Sequence, residues 1–277
     1  MEYDYERFWG DTKAISEEHR NTAVYKIGES FEGREIICIK IGEGDKKILA
    51  AGAFHALEYI TAAFLTKFAR EYVSAAERGE CFIGRDARLL TKNVSLFIVP
   101  MVNPDGVEIA LHGDGDTKNI WQANARGVDI NHNFDADWQS VKDKPSPSRY
   151  GGEEPMSEPE TKAIAAFIRR EMFDMLLCFH SQGEEIYYEF NGKTAPRSRE
   201  IADEMAQESG YKVCVPEGSA CFGGCKDWFL KEFNREGFTI EMGLGKNPLP
   251  LSMLSTVYEP NARIILCAME QALKKTP

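Results

Sequence analysis

Histidines and acidic residues in this 277-residue chain recur at a spacing that suits metal binding. His55 and Glu58 are three positions apart, as are His132 and Asp135, while His180 ends a short apolar run. Imidazole and carboxylate groups are common zinc ligands. Because 44 of the 277 residues are acidic, about one of the five histidines should have such a partner by chance. The spacing alone therefore does not choose between the two pairs.

The predicted positions of His55, Glu58 and His180 favour these three residues. His55 follows the apolar run KKILAAGAF (46–54), a predicted strand, and a helical pattern begins directly after it. The side chains of His55 and Glu58 can then face one point above the sheet. His180 ends another predicted strand. Two histidines and one carboxylate, with a fourth position open to water, are typical of a catalytic zinc site. The same residues could instead be ordinary capping and core residues, and the local sequence leaves both interpretations open.

Strands and helices alternate along the chain. After an opening helical segment, TAVYKIG and REIICIKIG predict a hairpin with Gly33 at its turn. Further strands are predicted at KKILAAGAF, VSLFIVPMV, DMLLCFH and GFTIEMG, with helical patterns between them. This alternation predicts a largely parallel sheet covered on both faces. The interval from about 112 to 157, rich in Gly, Asp, Asn, Pro and Ser, is predicted to be mostly loop.

Four polar residues fall at the ends of predicted strands: His55, Asn103, His180 and Glu241. In open α/β sheets, ligands bind outside the carboxyl ends of the strands. We interpret Asn103-Pro104-Asp105-Gly106 as a structural turn without a catalytic role. The other three residues are candidates for an active site.

The composition indicates the class of protein. A length of 277 residues with 43% hydrophobic content suits a single α/β domain over 1–277. The net charge of -11 argues against a nucleic-acid partner. No apolar run approaches the roughly 20 residues of a membrane span, and MEYDYERFWG does not resemble a secretory signal. Seven scattered cysteines predict reduced, buried thiols, so we expect a cytoplasmic protein with no membrane partner.

Eight segments together resemble the zinc carboxypeptidase family (peptidase family M14), and within it the bacterial γ-D-glutamyl-diamino acid peptidases that cut murein peptides. In family order they are IGESFEGREI (27–36), GAFHALE (52–58), VNPDGVE (102–108), NARGVDINHNF (124–134), SEPET (157–161), CFHSQGEEIYY (178–188), GGCKDWF (223–229) and TIEMG (239–243). Several motifs in order are far more specific than one. The resemblance implies a three-layer α/β/α fold with a mixed, largely parallel central sheet of about eight strands.

The resemblance also implies one Zn²⁺ per chain and the residues that use it. His55, Glu58 and His180 match the zinc ligands, and Glu241 matches the general base that takes a proton from the activated water. Zinc lowers the pKa of its bound water from 15.7 toward roughly 7, so a nucleophile exists at neutral pH. A carboxylate near the metal can accept that proton and deliver it to the leaving amine. Glu241 could instead be a capping or solvated acid.

Three further residues match other parts of the family site. Arg126 matches the arginine that stabilises the oxyanion, a kind of donor whose loss typically costs about 3 to 4 kcal/mol. Asn131 matches the asparagine that helps hold the substrate carboxylate. Asp129 matches the acid that orients a ligand histidine, although it could also be an Asx-turn residue.

Two positions depart from the family pattern. In carboxypeptidases that trim ordinary C-terminal residues, an arginine follows Asn131 and grips the terminal carboxylate, whereas this chain has His132. An imidazole gives at most one charge-assisted hydrogen bond, and only when protonated. His132 is therefore expected to contact a different kind of substrate, or only to pack. The substrate-contacting tyrosine of the family would fall at Ser219, so it is absent or supplied from elsewhere.

These observations predict a zinc metallopeptidase of the metallocarboxypeptidase type. The expected reaction is hydrolysis of the bond from γ-D-glutamate to meso-diaminopimelate or L-lysine in small murein stem peptides, during cell wall turnover. One alternative is a metallocarboxypeptidase that removes ordinary or glutamate C-terminal residues. A second alternative is an inactive, zinc-free binding module, against which the complete set of ligands, base and oxyanion residue argues.

Overall fold

The computed structural model describes residues 2–115, 117–216 and 222–274. Eight strands form one sheet and two short ones form a separate hairpin. The strands are β1 (Thr22–Glu29), β2 (Glu35–Ile41), β3 (Lys46–Gly52), β4 (Cys81–Phe82), β5 (Arg85–Asp86), β6 (Val94–Val99), β7 (Met175–His180), β8 (Glu185–Tyr187), β9 (Lys212–Cys214) and β10 (Glu236–Glu241).

The order of strands in the sheet is β1-β2-β6-β3-β7-β10-β8-β9. The four central strands β6, β3, β7 and β10 are parallel to one another. The predicted hairpin of β1 and β2 forms one edge, where β2 pairs antiparallel to β6, and β8 pairs antiparallel to β10 on the other side. This mixed, largely parallel sheet of eight strands confirms the predicted fold class.

Helices cover both faces of the sheet. They are α1 (Tyr5–Glu18), α2 (Tyr59–Arg78), α3 (Ala87–Asn93), α4 (Pro104–His112), α5 (Pro159–Glu171), α6 (Ser198–Ser209), α7 (Cys225–Phe233) and α8 (Leu254–Leu273). Apolar side chains of α2, α3, α6 and α8 share one hydrophobic cluster with the sheet, and those of α5 and α7 share a second cluster with the opposite face. The result is the three-layer arrangement expected from the sequence.

The central strands are largely apolar along their middle because both of their faces are covered. Along β7, Leu177 and Phe179 pack in the first cluster, whereas Leu176 and Cys178 pack in the second. Strands buried on both faces form continuous apolar runs rather than alternating patterns. That is why β3, β6, β7 and β10 could be predicted, while the short strands β4, β5, β8 and β9 could not.

Two further findings concern the cysteines and the length of the helices. The six cysteines that the structure describes are all free. The expectation that the thiols are buried is wrong for Cys81, which is exposed, and Cys214 is only partly buried. Both lie on short strands at the periphery, where little packs over them. None of the helices in the described ranges is both long enough and apolar enough to cross a bilayer.

Asn103 ties the start of α4 to two other segments. Its side-chain oxygen accepts a hydrogen bond from the Gly106 backbone N–H at 3.1 Å, which caps the helix. Its amide nitrogen donates to the carbonyl oxygens of Phe54 and Ala123, each at 3.1 Å. The segment predicted to be a turn is thus a helix start, fully buried at Asn103. Because Phe54 precedes His55, this helix cap also supports the loop that carries His55.

We expect Asn103→Ala to lower the free energy of unfolding by about 2 to 4 kcal/mol, because it removes a helix cap and leaves two buried carbonyl groups unpaired. Guanidinium titration followed by circular dichroism measures the change. Asn103→Ser is the matched variant, since serine keeps a neutral capping oxygen and lacks the amide group that donates the two bonds. A loss below about 0.5 kcal/mol for Asn103→Ala would contradict this account, since surface changes without structural consequence usually fall in that range.

Candidate active site

Parallel strands carry the candidate ligands to one edge of the sheet. His180 is the last residue of β7, and His55 follows the end of β3. The two strands are neighbours, with Gly52 opposite Phe179 in the register. A 3₁₀ helix at Ala56–Glu58, closed by a 3.0 Å hydrogen bond from the Glu58 N–H to the His55 carbonyl, turns Glu58 back toward both histidines.

His55, Glu58 and His180 form one compact cluster. His55 Nδ1 lies 3.0 Å from Glu58 Oε1, and His180 Nδ1 lies 2.9 Å from Glu58 Oε2. One potential ligand atom from each residue lies within 4.8 Å of the other two. Burial alone would raise the pKa of Glu58, but the two imidazoles hold it down at about 2. A carboxylate anion between two imidazole nitrogens is a donor set that fits Zn²⁺.

Asp129 contacts the other nitrogen of the His55 ring. Asp129 Oδ1 lies 3.1 Å from His55 Nε2, and Oδ2 accepts a 2.9 Å hydrogen bond from the Arg149 backbone N–H. Despite burial, the His55 and His132 rings keep the pKa of Asp129 well below its usual range. An ionised acceptor at Nε2 keeps the proton there and leaves Nδ1 free for a metal. The geometry fits the predicted orienting role, and the Arg149 contact adds support to the loop.

Glu241 ends β10 beside His180. The two residues are directly opposite each other in the parallel register of β10 and β7. Glu241, His55 and His180 line the same cavity of about 170 Å³. Burial, and next the negative charge of Glu58, raise the pKa of Glu241 well above its usual range, while His55 opposes the shift. A raised pKa suits a carboxylate that accepts a proton, and the role of Glu241 as general base stays a prediction.

Arg126 is held at some distance from the cavity wall. Its side chain is 43% exposed, with Nη1 3.7 Å from Glu158 Oε1 and the guanidinium over the Phe31 ring at 5.4 Å. Glu158 is buried and also accepts a 2.8 Å hydrogen bond from Asn124 Nδ2. Among the described residues, Arg126 is not part of the cavity lining. Its role as oxyanion donor stays a prediction.

Asn131 and His132 also line the cavity. Asn131 Oδ1 accepts a 3.1 Å hydrogen bond from the Cys225 N–H, which fixes the side chain against the start of α7. His132 Nδ1 lies 3.3 Å from the Phe222 carbonyl oxygen, and the two rings are 5.9 Å apart. His132 therefore both packs and faces the cavity. Asp135, three residues after His132, is exposed, and its Oδ1 lies 3.7 Å from Lys231 Nζ. It is not part of the ligand cluster of His55, Glu58 and His180.

Close packing of two loops explains one glycine of the GGCKDWF motif. Gly223 has a φ of +75°, and a Cβ there would lie 2.7 Å from the His132 carbonyl oxygen. A side chain at this position would push the loop away from His132. Ser219, the predicted position of the family tyrosine, lies outside the described residues.

The sequence reasoning missed several residues of the site. Asn247 Nδ2 donates to the Ser181 carbonyl oxygen at 2.6 Å and lies 3.4 Å from Glu58 Oε1. Residues without a predicted role also line the cavity, among them Tyr187, Lys226, Asp227 and Thr239. All four lie in segments that resemble the family, CFHSQGEEIYY, GGCKDWF and TIEMG, and this was the signal that could have identified them.

The family assignment follows from comparison with known proteins. The profile of the zinc carboxypeptidase family (peptidase M14) matches residues 11–264. The chain belongs to this family. It is a zinc peptidase with an intact His55, Glu58 and His180 ligand group.

Individual relatives agree with this assignment. Gamma-D-glutamyl-L-diamino acid endopeptidase 1 of Lysinibacillus sphaericus is 34% identical over 96% of this chain and 72% of its own length. Human carboxypeptidase B is 29% identical over 78% of this chain and 56% of its own length. The structure of bovine thrombin-activatable fibrinolysis inhibitor superposes with a TM-score of 0.85 at 20% identity, over 100% of this chain and 99% of that one, and so shares the fold.

We expect His180→Ala to weaken zinc binding by more than about 100-fold. Loss of a group that only hydrogen-bonds to a ligand costs about 10 to 100-fold, and His180→Ala removes one of the three ligands themselves. Competition with a chromophoric chelator measures the affinity. His112→Ala is the matched control, since His112 is half exposed at the end of α4 and far from the cluster in sequence. If His180→Ala binds zinc as tightly as the unmodified protein, His180 is not a ligand.

Asp129→Asn should weaken zinc binding by about 10 to 100-fold, the usual effect of losing a charged outer-shell partner of a ligand histidine. The same chelator competition tests it. Asp135→Asn serves as the control, because Asp135 belongs to the other histidine-acid pair and is exposed. Equal affinities for the two variants would argue against an orienting role of Asp129.

Proposed function

We propose that this chain hydrolyses the amide bond between γ-D-glutamate and meso-diaminopimelate or L-lysine in murein peptides. The observation that carries the proposal is the 34% identity over 96% of the chain to an enzyme named for this γ-D-glutamyl-L-diamino acid cleavage. Murein fragments taken up into the cytoplasm are the substrate source that we propose. The free state of all six described cysteines fits a reducing compartment.

The residues of the site suit amide hydrolysis. When bound, zinc would activate a water molecule and polarise the scissile carbonyl. Glu241 faces the same cavity as His55 and His180 and takes the proton of the attacking water. Its raised pKa lets it return this proton to the departing amine of the diamino acid. Asp129 holds the His55 ring in the orientation that keeps Nδ1 toward the cluster.

His132 favours this substrate over an ordinary C-terminal peptide. The His132 ring lies against Phe222, and its Nδ1 is 3.3 Å from the Phe222 carbonyl oxygen. Because Nδ1 is turned to this carbonyl oxygen, His132 has only Nε2 left for a terminal carboxylate, whereas arginine offers a charged fork of two donors. The second candidate function is removal of C-terminal residues, to which the similarity to human carboxypeptidase B points.

Glu241→Gln should lower the rate of cleavage of L-Ala-γ-D-Glu-meso-diaminopimelate by about 100 to 10,000-fold, because it removes the proton acceptor. Zinc binding should be retained, since Glu241 is not among the three ligands. Release of meso-diaminopimelate is followed by mass spectrometry, with and without chelator. Glu236→Gln is the matched control, because Glu236 begins the same strand β10 at the end away from the site.

A plain C-terminal peptide is incubated in parallel to separate the two candidate functions. Chelator-sensitive release of diaminopimelate supports the proposed function. Trimming of the plain peptide alone would replace it by the carboxypeptidase function. Full activity of Glu241→Gln on the murein peptide would reject the role of Glu241 and leave the substrate assignment in place.

A further inference from the structure

A side-chain amide lies against the carboxylate of Glu58. Asn247 Nδ2, on the segment that follows β10, is 3.4 Å from Glu58 Oε1. Within the described ranges, the side chains at hydrogen-bonding distance from this carboxylate are those of His55, His180 and Asn247. Glu58 is only 3% exposed. Because a buried charge without partners is costly, the carboxylate depends on these few neighbours.

The two histidines contact Glu58 through the same nitrogens that are free to bind zinc. His55 Nδ1 lies 3.0 Å from Glu58 Oε1, and His180 Nδ1 lies 2.9 Å from Oε2. The Nε2 atom of His55 contacts Asp129 instead. A ring nitrogen that binds a metal carries no hydrogen, so it cannot also donate to a carboxylate. Once both Nδ1 atoms hold zinc, the amide of Asn247 is the donor that remains for Glu58.

Ser181 fixes the orientation of the Asn247 amide. Nδ2 donates to the Ser181 carbonyl oxygen at 2.6 Å, and Oδ1 accepts a hydrogen bond from the Ser181 hydroxyl at 2.8 Å. Because a carbonyl oxygen can only accept, this contact distinguishes the amide nitrogen from the amide oxygen. The nitrogen has two hydrogens, and one is left for Glu58 Oε1. Since Ser181 follows His180, the amide joins the segment after one ligand to the carboxylate of another.

Backbone pairing beyond the strands brings this amide to the site. Past the ends of β7 and β10, the Met242 N–H donates to the His180 carbonyl oxygen and the Gly183 N–H to the Gly243 carbonyl oxygen, each at 2.8 Å. Gly243 has a φ of +68°, and a Cβ there would lie 2.8 Å from Val257 Cγ1. Only glycine adopts this conformation easily in so little space. The segment bends at this glycine, and four residues later its amide contacts the ligand cluster.

We propose that Asn247 is a positioning residue of the zinc site, which holds the Glu58 carboxylate in the orientation that binds the ion. Ligand carboxylates, like ligand histidines, are commonly held by a hydrogen bond from a further residue. Asp129 does this for His55, and Asn247 does it for Glu58. An amide is neutral, so it orients the carboxylate and leaves its negative charge for the ion. This role does not depend on which amide bond the enzyme cleaves.

Removal of the amide should weaken zinc binding. We expect Asn247→Ala to raise the dissociation constant for zinc by about 10 to 100-fold, the usual effect of losing such a partner. The chelator competition described for His180→Ala gives the value. Gln182→Ala is the matched control, because Gln182 Oε1 accepts a 3.1 Å hydrogen bond from the Gly245 N–H and so ties the same two segments at a different point. Its affinity for zinc should equal that of the unmodified protein.

Cobalt substitution reports the arrangement of the ligands. The visible absorption bands of bound Co²⁺ depend on the number and geometry of its ligands. Asn247→Ala should change these bands at saturating cobalt, because the Glu58 carboxylate is then free to turn, whereas Gln182→Ala should leave them unchanged. A residue that only supports the loop would lower the melting temperature without altering the bands. If the alanine variant does not fold, Asn247→Ser takes its place, since the serine hydroxyl is too short to contact Glu58.

The combined results decide the role of the amide. Weaker zinc binding together with altered cobalt bands, in the Asn247 variant alone, supports the proposal. Unchanged zinc affinity or unchanged bands in a folded Asn247 variant overturns it. An equal loss of affinity in Gln182→Ala also overturns it, because the effect would then come from the contact between the two segments. None of these measurements uses a peptide substrate, so their outcome is separate from that of the proposed function.

Discussion

The pairing register of three parallel strands is the constraint on which the site depends. β3 places Gly52 opposite Phe179 of β7, and β7 places His180 opposite Glu241 of β10. A slip of one residue would turn a whole strand over and send His180 or Glu241 toward the other face. The apolar side chains of β7 pack into a separate cluster on each face, so such a slip would disrupt both clusters.

The three buried or half-buried carboxylates of the site, Glu58, Asp129 and Glu241, fall into two kinds according to their pKa values. Glu58 and Asp129 contact imidazole nitrogens, and their pKa values are held low. Burial, and next the negative charge of Glu58, hold the pKa of Glu241 high. Environments that push the pKa values of neighbouring acids apart assign them different tasks. Glu58 and Asp129 are suited to hold and orient, and Glu241 is suited to exchange protons.

The substrate side of the cavity is built differently from the metal side. His180 ends β7, and His55 and Glu58 lie in the segment that follows β3, whereas Asn131, His132 and the start of α7 form much of the rest of the lining. Gly223 allows two of these segments to approach closely. Loops and helix ends can vary without changing the sheet. Within one family, chemistry can therefore stay constant at the strand ends while the substrate preference changes beside it.

The sequence alone determined the long elements, the ligand candidates and the family resemblance, because apolar runs, helical periods and ordered motifs are local properties. The predicted strand ends and the resemblance favoured His55 with Glu58 over His132 with Asp135, but the sequence alone could not show that these two side chains meet His180. Nor could it place β8 and β9, three residues each and too short to show a period. The tertiary structure decided both points and brought Lys226 and Asp227 next to His132, because contacts between distant segments depend on how the sheet and α7 pack.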